Sequence, residues 1–236
     1  MISLNILNIK HAIPRDELKP ISVLFLSVLI LAIHKTFGSI PFAQQIFSGT
    51  SEYGAVIYMF LSTFILLGLA PLLLINLGFK ESIKNYGLII GDWKTGLKII
   101  AILFPVISLF VLYPSIYNQE MVNFYPQSKE AAGSIKLVLK LEAIRILILY
   151  TGWEIFFRGF MLFGLRKHVG DAMAICIQII PSCLWHIGMP TGEIFASIFG
   201  GILFGMMALK TGSILYPYIL HCLIGFTLDL FIVLNM

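Results

Sequence analysis

An all-α membrane protein, a polytopic helical bundle of about seven transmembrane helices, is the fold class that this sequence predicts, on three observations. Of its 236 residues 58% are hydrophobic and only 12% charged, whereas a soluble domain carries roughly a quarter charged residues. So little polar surface cannot coat a water-solvated globule. Several uninterrupted apolar runs reach the ~20 residues that a helix needs to cross a bilayer. Those runs are continuous rather than alternating, which speaks against a β-barrel.

The elements follow in order. Residues 1–19 form a short amphipathic or irregular lead carrying Lys10, Arg15 and Lys19. The apolar run at 21–42 is too long for a signal-peptide core and lacks a small-residue cleavage site, so it reads as a retained first span. A second span covers 54–77. The stretch GFKESIKNYGLIIGDWKTGLK, residues 78–98, is a basic loop with Tyr86 and Trp93 as interface anchors. Further spans are expected at 99–117, 135–164, 171–188, 194–209 and 214–234, with a polar loop at 118–134. No internal repeat, low-complexity tract or second domain is visible, so 1–236 reads as one membrane-embedded domain with a catalytic-like core at about 135–234.

Charge supports this count. With a cytoplasmic N-terminus the inner loops hold Lys10, Arg15, Lys19, Lys80, Lys84, Lys94, Lys98, Arg166, Lys167 and Lys210, and the outer loops only Lys129 and Lys136. That asymmetry predicts a multi-pass cell-membrane protein with its N-terminus inside and its C-terminus outside. The net charge of +4 is assigned to loops meeting anionic lipid, not to nucleic acid. Cys176, Cys183 and Cys222 lie in apolar segments and are odd in number, which argues against a disulfide framework; no thiol spacing for zinc occurs. Ser197, Gly201 and Gly205 stand four apart and read as a helix-packing face.

Four ionisable residues fall within spans, where each costs at least about 2.5–3.5 kcal/mol: Glu154, Arg158, His186 and His221. Glu154 and Arg158, at i and i+4, share a helix face and can pair. As a packing clasp the pair needs no chemistry, and a lone intramembrane histidine is usually a packing residue. Two histidines together with the pair, in a chain so poor in polar groups, are competent for hydrolysis in two ways. Water could be activated by carboxylate and imidazole, or by a divalent metal such as zinc held on Glu154, His186 and His221. Glu142 and Arg145, at i and i+3, read as a local ion pair, and His11, His34 and His168 carry no role. Counted from the inner ends of these spans, Glu154 lies about 16 Å deep, His221 about 12 Å and His186 about 22 Å. A kink at Pro181 or an early start of the fifth helix is needed to level them.

At these residues the sequence resembles the CAAX-processing and bacteriocin-processing (CPBP, formerly Abi) intramembrane proteases. WEIFFRG matches the second glutamate and the arginine of that family's first motif as Glu154 and Arg158. SCLWH supplies the histidine of the second motif as His186, and TGSILYPYILH runs into that of the third as His221. The resemblance covers about 150–234, with a family-like NYGLIIGDWKTGLK near 85–98. It departs at the first glutamate, which is Trp153, at the phenylalanine, which is Ser182, and at the asparagine, which is Gly225. One oxyanion donor is thus missing, and Asp229, one turn on, is an acceptor when ionised and no replacement. The resemblance implies an intramembrane endopeptidase, of glutamic or metal-dependent type, acting on a peptide or lipidated protein within the lipid. Glu154 would activate water with His186 assisting, His221 would stabilise charge or hold a metal, and Arg158 would fix Glu154. The alternative is a non-catalytic scaffold or immunity-type relative, which Trp153 and Gly225 favour. A proton-coupled transporter is disfavoured by small size and the absence of repeated halves.

Overall fold

The computed structural model describes residue 14 and residues 16–235; Lys10, His11 and Arg15, with most of the N-terminal lead, lie outside them. Every element among the described residues is helical. The long helices are α1 (Leu18–Phe37), α2 (Glu52–Gly78), α3 (Trp93–Ser115), α4 (Ile135–Val169), α5 (Asp171–Trp185), α6 (Thr191–Thr211) and α7 (Leu215–Leu234). Six are long and apolar enough to cross a membrane; α5, with 15 residues, is the exception. At 1.5 Å per residue α5 extends only about 22 Å, short of a hydrocarbon core of about 30 Å.

The boundaries differ from expectation for local reasons. The first span stops at Phe37 because Gly38, Ser39 and Pro41 interrupt it: Ser39 caps a separate short helix, Ile40–Ile46, with proline in its first turn. The third begins at Trp93, since the Asp92 carboxylate accepts the Thr95 N–H at 3.1 Å and starts the helix within the expected loop. The fourth runs on to Val169. Gly170, at φ +83°, turns the chain there, and Glu154 and His186 lie at equal sequence distance on either side of it.

Helix α4 is the centre of the bundle. From Gly152 to Leu165 it is buried on every face, which a helix apolar all round requires. Its hydrogen bonding is π-type at Arg145–Tyr150 and Ile155–Phe163, on both sides of a single α turn, Thr151–Glu154. Such wide turns frequently mark functional sites. Phe156, Phe157, Phe160 and Leu162 fill the surrounding core. Gly152 lets α2 approach: a Cβ there would stand 2.8 Å from the Thr63 carbonyl.

The small-residue face of α6 packs as expected. A Cβ on Gly201 would meet Ile179 at 2.7 Å, one on Gly205 would meet Ile175 at 3.1 Å, and Gln178 donates to the Gly201 carbonyl at 2.9 Å. These contacts lock α6 to α5. The segment 86–92 is a strap over the α6–α7 turn, held by Ile214 N–H to the Gly87 carbonyl (2.9 Å), Asp92 N–H to the Thr211 carbonyl (2.8 Å) and Tyr216 hydroxyl to the Ile90 carbonyl (2.7 Å). The expected anchors divide. Trp93 is 54% exposed, but Tyr86 is 1% exposed and donates to Glu81 at 2.8 Å, so it fastens the interior instead. At the opposite end the loops following α1, α3 and α5 meet, with Glu130 N–H on the Glu52 carboxylate and Thr191 N–H on that of Glu120.

Candidate active site

Glu154 sits in the α turn of α4 and is 1% exposed. Its Oε1 accepts from the Arg158 guanidinium at 3.2 Å and lies 2.8 Å from His221 Nδ1 on α7. An ionised carboxylate only accepts, so His221 carries its proton on Nδ1 and turns an unprotonated Nε2 outward. The imidazole is gripped by Tyr150 (ring centroids 4.3 Å) and Phe204 (5.3 Å), and the Arg158 guanidinium lies over Phe204 at 5.1 Å. Thus α4 supplies the pair, α7 the imidazole and α6 the wall.

His186 follows the last turn of α5. Its Nδ1 lies 2.7 Å from the Ser182 carbonyl, which can only accept, so this ring too presents Nε2 as an acceptor. The helix end is fixed from behind: Trp185 Nε1–H donates to His34 Nδ1 (3.2 Å), His34 Nε2 to Thr63 Oγ1 (2.8 Å), and Thr63 to the Met59 carbonyl (2.8 Å). His34, assigned no role from sequence, therefore anchors the segment that carries His186. Trp153, where the resembled motif has its first glutamate, puts its indole edge-on to both Trp185 (4.9 Å) and His186 (5.5 Å).

Two cavities meet the imidazoles. The smaller, about 60 Å³, is lined by Tyr150, Trp153, His186, Glu193 and His221 among others, and its polar walls and size suit water. The larger, about 520 Å³, shares His186, His221, Tyr150 and Glu193 and continues along Val111, Phe199 and Leu203 between α3, α6 and α7. Phe199 is 71% and Val111 49% exposed on the outer surface of the bundle. Glu154 lines neither; it lies against a separate space of about 470 Å³ with Thr151, Tyr218 and the strap.

His221 and His186 therefore share a cavity, while Glu154 touches that cavity only through His221. The carboxylate that does line it is Glu193, in the first turn of α6, with both oxygens 2.7 Å from the Tyr125 hydroxyl. Burial, and then the neighbouring Glu193 charge, push the Tyr125 phenol well above its ordinary value, which keeps it a donor. Sequence reasoning missed Glu193 because it stands at a helix start, where an acidic residue is expected for the helix dipole alone. As for a metal, among the described residues no group of three or more His, Cys, Asp or Glu side chains is placed to hold one.

A second buried ionic group lies nearby on α4. Arg145 bonds Glu142 at 2.9 Å and approaches Asp229 of α7 at 3.3 Å. The expected local pair is present, and Asp229 is spent on Arg145.

Residues 141–227 match the family model described as type II CAAX prenyl endopeptidase Rce1-like. That segment carries Glu154, Arg158, His186 and His221, and it is a segment of the CAAX-processing type that the motifs resemble. No curated protein and no solved structure matches the chain.

Proposed function

We propose that this protein is an intramembrane endopeptidase that hydrolyses a peptide bond near the C-terminus of a prenylated or otherwise membrane-anchored polypeptide. The observation that carries the reading is the pair of imidazoles, from α5 and α7, on one cavity that continues as an apolar channel between α3 and α6. The channel suits a lipid chain and the polar walls a peptide.

The chemistry assigned here differs from the roles expected from sequence. Water in the cavity gives a proton to His221 Nε2 while its oxygen bonds to the substrate carbonyl carbon and the carbonyl π pair moves onto oxygen. Glu154, at 2.8 Å from Nδ1, stabilises the imidazolium that forms and fixes its tautomer. It is a positioning residue, and Arg158 holds it. His186 Nε2 accepts the other water hydrogen and aims the lone pair. Collapse of the tetrahedral intermediate returns the electron pair to the carbonyl and breaks the C–N bond, and the imidazolium passes its proton to the leaving amine. A new carboxyl and a new amine result, with no other reactant.

The substrate class rests on the family match over 141–227. We further assign the end bearing the strap and the α4–α5 turn to the cytoplasm, because Lys80, Lys84, Lys94, Arg166, Lys167 and Lys210 lie there or beside it. The test is cleavage of a farnesylated peptide by the purified protein in liposomes, read by mass spectrometry. Wild type is expected to release the C-terminal fragment, and His221→Ala and His186→Ala to lose that activity. A wild type without turnover, with a biological phenotype that survives both changes, would favour the non-catalytic scaffold that Trp153 and Gly225 suggest.

A further inference from the structure

The resembled motif has an asparagine one turn after its last histidine, where this chain has Gly225. The space is not empty. A Cβ on Gly225 would fall 1.8 Å from the Tyr150 hydroxyl and 3.2 Å from Arg145 Nη2. No side chain other than hydrogen fits at 225 while Tyr150 stands there, so the two positions are fitted to each other. The phenol oxygen occupies the volume through which a side chain at 225 would reach the cavity.

Four features point to chemistry rather than filling. Tyr150 lines both cavities together with His186 and His221. Its ring lies 4.3 Å from that of His221. The residue is only 6% exposed, yet its hydroxyl is not among the buried polar atoms left without a partner among the described residues, as suits a group that opens onto the cavity it lines. The Arg145 guanidinium lies 5.5 Å from the ring centroid, a cation–π contact that holds the ring in place. A glycine inside α7 costs helix propensity; here it makes room for a donor.

We propose that the Tyr150 hydroxyl is the oxyanion donor of this site, replacing from α4 the hydrogen bond that a residue at 225 of α7 cannot give. The inference rests on the hydrolytic reading above. Tyr150 donates a hydrogen bond to the carbonyl oxygen as that oxygen gains charge, and no proton is transferred from it. Neutral His221 cannot serve at that instant, since its Nδ1–H is held by Glu154.

The test compares Tyr150→Phe, Gly225→Asn, Tyr150→Ala and the pair Tyr150→Ala with Gly225→Asn, in liposomes, on the farnesylated peptide. Removing one oxyanion donor costs about 10²–10³ in kcat, so Tyr150→Phe should lose that much with KM unchanged. Gly225→Asn alone should lower the melting temperature through the clash. The pair should melt above Gly225→Asn and turn over at least tenfold faster than Tyr150→Ala, because asparagine restores a donor in the vacated space. Wild-type kcat in Tyr150→Phe, with His221→Ala inactive, overturns this inference and leaves the protease reading intact. A wild type that cleaves nothing overturns the protease reading. The donor is then judged by binding of a farnesylated peptide boronic acid, a mimic of the tetrahedral anion: equal affinity in wild type and Tyr150→Phe, or none in either, refutes it.

Discussion

Helix α4 carries two buried arginines with acidic partners, and their surroundings differ. The Glu154–Arg158 pair balances one charge against one and continues, through the 2.8 Å contact to His221, into a cavity. The Glu142–Arg145–Asp229 group sets two carboxyl groups against one guanidinium; Glu142 is 1% and Asp229 0% exposed. Its charge closes to zero only with a proton on one carboxyl. Both groups leave polar atoms without a hydrogen-bond partner among the described residues: both Asp229 oxygens and Glu142 Oε1 in one, Glu154 Oε2 and Arg158 Nε in the other. The comparison teaches that an intramembrane ion pair becomes a candidate site through what it holds in the open. One group ends on an imidazole with a free lone pair. The other ends on itself, tying α4 to α7 and laying Arg145 over Tyr150.

The largest effect that would sharpen this contrast is on turnover. His221→Ala should lower kcat by about 10²–10⁴, the usual range for a general base, whereas Asp229→Asn should leave kcat within about threefold and the melting temperature equal or higher, because it removes surplus negative charge. A large loss of kcat in Asp229→Asn would break the distinction. Next in size is stability. Arg145→Met strands two buried carboxyl groups and should cost about 3–5 kcal/mol, read from equilibrium unfolding in detergent. A packing change should act on the site from a distance: Gly201→Leu drives a side chain into Ile179, 2.7 Å from the Cβ position, and overpacking of this kind costs about 1–3 kcal/mol. Because α5 ends at His186, kcat should fall with it, while KM holds.

The smallest effect lies outside the membrane. Glu81 accepts from Lys19 at 2.8 Å and from Tyr86 at 2.8 Å. Burial pulls its carboxyl up, but those two hydrogen bonds together with the Lys19 and Lys167 charges hold it below the ordinary value. A depressed carboxyl contributes stability above its unfolded value and loses it as pH falls through the folded one. The strap and the start of α1 should therefore loosen in acid below about pH 4.5, seen as faster amide exchange at residues 81–87. Unchanged exchange there would remove Glu81 from the account.

Much of the fold was legible because its signals are local. Continuous apolar runs marked the helices, and Ser197, Gly201 and Gly205 marked a packing face on α6, though not that α5 would meet it. Helix ends were less so: Asp92 capping and the Gly38–Pro41 break depend on which of several competent residues acts. The four ionisable residues were found by the cost of burying them. Their grouping was not, since sequence spacing says nothing of which cavity a side chain faces. Glu154 was expected beside His186 and instead stands behind His221. Glu193 and Tyr150 were invisible because one resembles a helix-dipole residue and the other an aromatic core residue, and only the hollow between three helices gives them meaning.

The central claim is that Glu154 acts through His221 and not on water. The measurement that tests it most directly is single-turnover cleavage of the farnesylated peptide by Glu154→Gln, His221→Ala and the double variant. If the carboxylate works only by holding the imidazole, the double variant should be no slower than His221→Ala alone. A double variant slower by the product of the two separate losses would mean that Glu154 engages the water independently, and the account would be wrong.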